Sequence, residues 1–195
     1  MDETNERLTE QLAADLDAGF TELVRVHLGV VHAFLHRVSG SAAEAEDLGQ
    51  DTFLRAYTAL EGYSAQRRRE LRVRSWLMAI AMNVWRNHVR SRSRRPSVAA
   101  RIEESCLPLA DDSPGPEERT ALAEDRSRLT AALGRLPELY RVPVVLRHIA
   151  CLSYQEVAEA QGTPVGTVKA QVSRGLKMLR AELEPQVREA EEVRP

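Results

Sequence analysis

The stretch SYQEVAEAQGTPVGTVKAQVSRGLKMLR, residues 153–180, reads as a short helix, a sharp break and a longer helix. Ser153 can cap the first helix, and Glu156 three residues later has the spacing of a capping box. Val157 and Ala158 fall on the inner side, where a small Ala158 permits a close helix crossing. Gly162 supplies the positive φ that a tight turn requires. Thr163–Pro164 then reads as a cap followed by proline at the first helical position. Val168, Val172, Leu176 and Leu179 form the expected buried stripe of the second helix. Thr167, Lys169, Ala170, Gln171, Ser173, Arg174 and Lys177 remain outside. Gln and Arg can bond base edges bidentately, while Lys and Ser hold phosphates, so this outer face suits a DNA major groove. The alternative is an αα-hairpin that packs only within its own domain.

The rest of the chain has to account for an uneven charge distribution. The net charge of −2 conceals four blocks of different sign. Residues 1–62 carry 4 Arg against 12 acids, residues 63–101 carry 11 Arg against the single Glu70, and residues 102–128 carry 3 Arg against 8 acids. The last block, from 129 onward, holds 9 basic and 8 acidic residues. A strongly basic segment inside an acidic chain is a footprint for a polyanion. Its arginines interleave with Trp76, Trp85, Asn83 and Asn87, a mixture suited to nucleic acid. No apolar run reaches the ~20 residues of a membrane-spanning helix. The polar, acidic start MDETNERLTE is no secretory signal. Cys106 and Cys151 lie far apart with no metal-ligand spacing, which favours a reducing cytoplasm.

Helical periodicity dominates. Leu8, Leu12, Leu16, Phe20, Leu23 and Val24 recur at three- to four-residue steps, and the pattern runs on through Val38. SGSA then interrupts it, with Ser41 as a cap and Glu44 at capping-box spacing. A helix from about 42 to 60 is expected, with Leu48, Phe53, Leu54 and Tyr57 inward, followed by another from about 74 to 91. Between Arg92 and Pro116 the pattern dissolves around four prolines, which marks a linker. Helices resume over 116–135, 137–149, 154–160 and 164–183, and the polar tail beyond is expected to fray. The fold expected is therefore all-α: two small helical domains, 1–95 and 117–195, joined by a flexible acidic linker at 96–116, the second domain containing the helix–turn–helix.

Three segments together resemble the extracytoplasmic-function (ECF) group of bacterial RNA polymerase sigma factors: AEAEDLGQDTFLRAYTAL (43–60), SWLMAIAMNVWRNHVRSRSRR (75–95) and LSYQEVAEAQGTPVGTVKAQVSRGLKMLRAEL (152–183). The resemblance runs from about Phe20 to Leu183, in order. It implies that Asp47, Gln50, Asp51 and Leu54 dock on the β′ clamp helices of core RNA polymerase. It places Tyr63 and Asn83 where the promoter −10 element is captured and opened, with Arg86, Asn87, Arg90, Arg92, Arg94 and Arg95 beside them on the DNA. It implies that Trp76 anchors its helix in the core. Thr167, Lys169, Ala170, Gln171, Arg174 and Lys177 would read the −35 element as duplex, with the β flap as a further polymerase contact. The acidic linker is similar to the segment that threads the RNA-exit path. A separate anti-sigma factor is the implied regulator. Two departures stand out: Ala170-Gln171 replaces the Ser-Arg common after the lysine, and SAQRRRELRVRS (64–75) is longer and more basic than usual.

The rival reading is an autonomous helix–turn–helix regulator, which leaves the 47–57 helix and the basic segment without a purpose. An enzyme is a weaker rival. His32 and His36 have i,i+4 spacing but no intervening Glu as in H-E-x-x-H, and no phosphate-binding loop or nucleophile motif stands out. No catalytic residue, metal or cofactor is expected; the polymerase would supply the chemistry.

Overall fold

A computed structural model of the chain describes residues 3–93 and 116–192, all of whose regular elements are helices. The periodicity that runs unbroken from Leu8 to Val38 is divided in space. Helix α1 (Glu3–Ala14) ends at Asp15, whose backbone is extended (φ −143°, ψ 112°) and whose carboxylate accepts the Ala18 amide, capping α2 (Leu16–Ser39). The two helices fold back on each other at this corner. A methyl at Gly19 would come within 2.6 Å of the Leu12 backbone nitrogen, so only glycine permits the approach. Leu8 and Leu12 are buried there, and Arg7 reaches Glu22 at 3.6 Å. An apolar stripe fixes which face is buried but not whether the helix turns midway, and an Asp in an apolar pattern is the only local sign of a corner.

Gly40, left-handed at φ 75°, ends α2 and sends its amide to the His36 carbonyl. Ser41 caps α3 (Ala42–Glu61) by accepting the Glu44 amide. The Glu44 carboxylate turns away to Arg92 (2.6 Å) and toward His88 (3.6 Å), where it ties α3 to α5. Leu48, Phe53, Ala56 and Leu60 of α3 pack with Leu23, Val31, Phe34, Leu35 and Val38 of α2. Leu54, expected inward, is 67% exposed. A five-residue helix, α4 (Ala65–Arg69), occupies the unusual basic stretch, and α5 (Val73–Ser93) follows with Val73, Leu77, Met78, Ala81, Met82, Val84 and Trp85 buried.

The second unit comprises α6 (Pro116–Arg135), α7 (Glu138–His148), α8 (Tyr154–Gln161) and α9 (Val165–Glu192). The capping box at α8 is complete in both directions: Ser153 Oγ accepts the Glu156 amide, and Glu156 accepts the Ser153 amide at 2.8 Å. Gly162 is left-handed (φ 65°) and closes α8 with its amide on the Ala158 and Glu159 carbonyls. The next turn differs from expectation. Val168 N–H bonds the Pro164 carbonyl, which puts Pro164 at the cap, while the buried Thr163 hydroxyl has no partner among the described residues. The inner stripe of α9 is Val168, Val172, Gly175 and Leu179; Leu176 is 39% exposed. Steps of four, three and four follow the helical period more closely than the all-apolar set did. Gly175 lets α9 meet α7, since a methyl there would lie 2.6 Å from Val144 Cγ2. The backbone of α9 stays helical to Glu192 instead of fraying after Leu183.

The two units share one apolar core, with α2 against α6 and α7 and α5 against α8. Polar contacts reinforce the seam. Trp85 Nε1 donates to Glu138 Oε1 at 3.0 Å, and Arg86 donates to the Gln161 carbonyl at 2.7 Å. The linker expected at 96–116 lies outside the described residues except for Pro116, which opens α6.

Candidate nucleic-acid and polymerase interfaces

Asp47, Gln50, Asp51 and Leu54 succeed one another at steps of three, one and three, so α3 presents them along one side. Asp47, Gln50 and Leu54 are exposed, while Asp51 is half-buried and bonded to Arg55 at 2.8 Å. Gln50 and Leu54 border a groove of about 590 Å³ between α2 and α3, floored by Val24, Val31 and Phe53 and rimmed by the exposed Leu28. Phe20 and Tyr57 meet edge-to-face at 5.0 Å at its side, with the Tyr57 hydroxyl held by Asp17 at 2.7 Å. An apolar trough with carboxylates on its border suits a helical partner that offers apolar side chains flanked by basic ones.

The second surface runs along α5. Trp76, Asn83, Asn87 and Arg90 recur at helical spacing and share one side of the helix. Asn83, Asn87 and Arg90 are exposed, and Trp76 is partly buried. Tyr63, just beyond α3, packs on Trp76 with ring centroids 6.2 Å apart, which sets it against the first turn of α5. Arg67 lies over the Tyr63 ring, its guanidinium carbon 3.8 Å from the ring centre.

The basic segment is less uniform than its charge suggests. Arg68 is spent on backbone carbonyls, those of Leu60 (3.0 Å) and Leu12 (3.2 Å). Arg69 forms a two-pronged pair with Glu10 at 2.9 and 3.2 Å. Arg92 holds Glu44, and Arg86, expected on DNA, holds the Gln161 carbonyl. Trp85 is 4% exposed and bonds Glu138, so it is a core residue and not part of a nucleic-acid face. Arg94 and Arg95 lie outside the described residues.

On α9, Thr167, Lys169, Ala170, Arg174 and Lys177 are exposed on the outer side, whereas Gln171 is half-buried with a shielded, unbonded Oε1. Tyr154 sits between Arg147 (5.1 Å) and Lys169 (5.9 Å), a cationic aromatic flank at the entry to the helix. Burial works to raise the Glu156 carboxyl, but the Ser153 amide and hydroxyl, the Ser75 hydroxyl and nearby Arg72 outweigh it. Together they hold it below the usual carboxylate range. Ser75 and Arg72 belong to the first unit, so this carboxylate serves both the capping box and the seam. His32 and His36 stack with centroids 6.0 Å apart, and no group of three or more metal-ligating side chains occurs among the described residues. Among those residues no helix is long and apolar enough to cross a membrane.

Residues 23–95 match Sigma-70 region 2, and residues 126–179 match Sigma-70, region 4. The α3 and α5 surfaces lie in the first matched region and the outer side of α9 in the second. The chain is 35% identical over 159 residues to the ECF RNA polymerase sigma factor SigE of Mycolicibacterium smegmatis, an overlap of 82% of this chain but only 59% of that protein's length. It is 30% identical over 198 residues to the RNA polymerase sigma-H factor of Pseudomonas aeruginosa, covering 96% of this chain and 98% of that one. The sigma factor RpoE of Bartonella quintana, solved in complex with the anti-sigma factor NepR, superposes with a TM-score of 0.67 at 25% identity, over 85% of this chain and 96% of that chain. The chain belongs to the ECF group of bacterial RNA polymerase sigma factors.

Proposed function

We propose that this chain binds core RNA polymerase and directs it to a distinct set of promoters, acting in the cytoplasm without chemistry of its own. The observation that carries the reading is that one chain holds two unlike exposed polar surfaces that carry cations, on α5 and α9, and a third, apolar and acidic one. The α5 surface, with Tyr63 and Asn83, suits unpaired bases, because a base leaves the stack only where a pocket and stacking partners compensate for lost pairing. The outer side of α9 suits duplex, where Lys169 and Arg174 reach a major groove and Thr167, Ala170, Gln171 and Lys177 complete the contact. The face carrying Asp47, Gln50, Asp51 and Leu54 is the polymerase-docking side, taken by the β′ clamp helices, with the β flap reserved for the second unit. Residues 96–116 link the two units. An anti-sigma factor, as in the complex of the Bartonella relative, would hold the chain by covering these same surfaces.

Transcription of genomic fragments by core polymerase, with and without the chain, tests the proposal. Chain-dependent transcripts whose start sites share upstream −10 and −35 elements are expected. Specific DNA binding by the chain alone, with no change in transcripts, would instead favour an autonomous helix–turn–helix regulator.

A further inference from the structure

The segment SAQRRRELRVRS carries five arginines, of which Arg68 and Arg69 are hydrogen-bonded within the fold. Helix α4 is five residues long and buries none of them, so it has no core of its own to hold it. What holds it is α1. Asn5 donates to the Leu71 carbonyl at 3.1 Å and accepts the Val73 amide at 3.0 Å, clamping the end of the segment to the start of α5. The Leu12 carbonyl takes Arg68, and Glu10 takes Arg69. Arg67 is placed differently. It is exposed, and its guanidinium lies at stacking distance, 3.8 Å, over Tyr63. A guanidinium seated over a ring at this distance leaves its other side for a further stacking partner.

We propose that Arg67 is a base-stacking residue of the strand-opening surface, continuing the Trp76–Tyr63 pair outward so that an unpaired base of the opened strand stacks on the guanidinium plane, with α1 as its positioning element. The inference rests on the reading of α5 as that surface. Guanidinium planes and aromatic rings both serve as platforms for splayed bases, and a stacked Arg adds a cation–π contribution. Lysine carries the same charge without the plane, so the two roles separate by substitution.

The test uses polymerase holoenzyme and a fork-junction DNA built on a promoter mapped for this chain, with the −10 region unpaired and each unpaired position made abasic in turn. Arg67→Ala and Arg67→Lys are both expected to weaken fork binding about tenfold, with core affinity and binding of a fully duplex −35 fragment unchanged. The loss should vanish at one abasic position, the base that stacks on Arg67. Asn5→Ala should reproduce the loss and its dependence on that same position, with core affinity again unchanged. Fork binding restored by Arg67→Lys, or a loss indifferent to every abasic position, would make Arg67 a phosphate contact and overturn the stacking role. Wild-type fork binding by Asn5→Ala would overturn the role of α1. Tyr63→Ala and Asn83→Ala separate the two levels. If they weaken fork binding while Arg67→Ala does not, only the Arg67 inference fails; if they too have no effect, the reading of the α5 surface fails with it.

Discussion

His27 sits on α2 at 6% exposure with its Nδ1 unbonded, and burial, aided by the nearby Arg74 charge, pushes its pKa down to about 4. The unfolded chain takes up this proton near pH 6.5 and the folded chain only near pH 4, so protonation favours unfolding. Stability from this site is complete above about pH 6.5, falls by ~3 kcal/mol as the pH drops toward 4, and levels off below. Urea denaturation of the wild type and of His27→Gln at pH 7.5, 5.5 and 4 reads the effect as a difference, which should shrink steadily with acid. A pH-independent difference would place His27 in contact with solvent or with an unseen partner for its charge. At the same scale, sequence legibility is mixed. Ser41, Ser153, Glu156 and Gly162 were readable because caps and left-handed turns restrict the residue type locally. Leu176, Arg68, Arg69 and Trp85 were not, because their roles depend on which neighbour arrives from elsewhere in the chain.

Among the elements, α1 shows best what periodicity leaves out. Its apolar stripe continues that of α2, and the close approach at Gly19 marks where the two helices cross. Gly19→Ala would push a methyl into the Leu12 backbone, which has no rotamer to relax. A loss of ~1–3 kcal/mol is expected, measured by thermal or chemical denaturation, together with faster amide exchange across α1. A neutral substitution would mean that α1 does not sit on α2. Helix α9 gives the matching functional prediction. Arg174→Ala should cost ~1–3 kcal/mol on −35-containing duplex if its contact is bidentate to a guanine. Titration of specific and random duplexes checks this, and equal losses on both would reduce Arg174 to a phosphate contact. The helix–turn–helix was legible because the α8 capping box, the Gly162 turn and the outer polar set of α9 lie within thirty residues of one another, although the cap of α9 itself was not. The proposed −10 surface was legible only by resemblance, since Tyr63 reaches α5 through its contact with Trp76 and no local pattern announces that contact.

At the scale of the whole molecule, the charge blocks and the seam pull in different directions. The acidic first block borders the α2–α3 groove, the basic block follows it into α5, and the second unit packs against that same helix. Arg86 holds the Gln161 carbonyl across the α5–α8 seam, so a DNA contact made in place of that bond would require the seam to part. Parting it breaks the Trp85–Glu138 and Arg86–Gln161 bonds and exposes part of a shared core, a cost that partner surfaces must offset. On the proposed reading, core polymerase, taking the α3 face and the second unit at separate places, would be such a partner. The measurement that tests this account most directly is a titration of the purified chain against core RNA polymerase, with Leu54→Arg beside the wild type. The account predicts saturable binding by the wild type and a marked loss for Leu54→Arg, whose 67% exposed side chain leaves the fold intact when changed. No binding by the wild type would contradict the central claim, and equal binding by both would contradict the docking face.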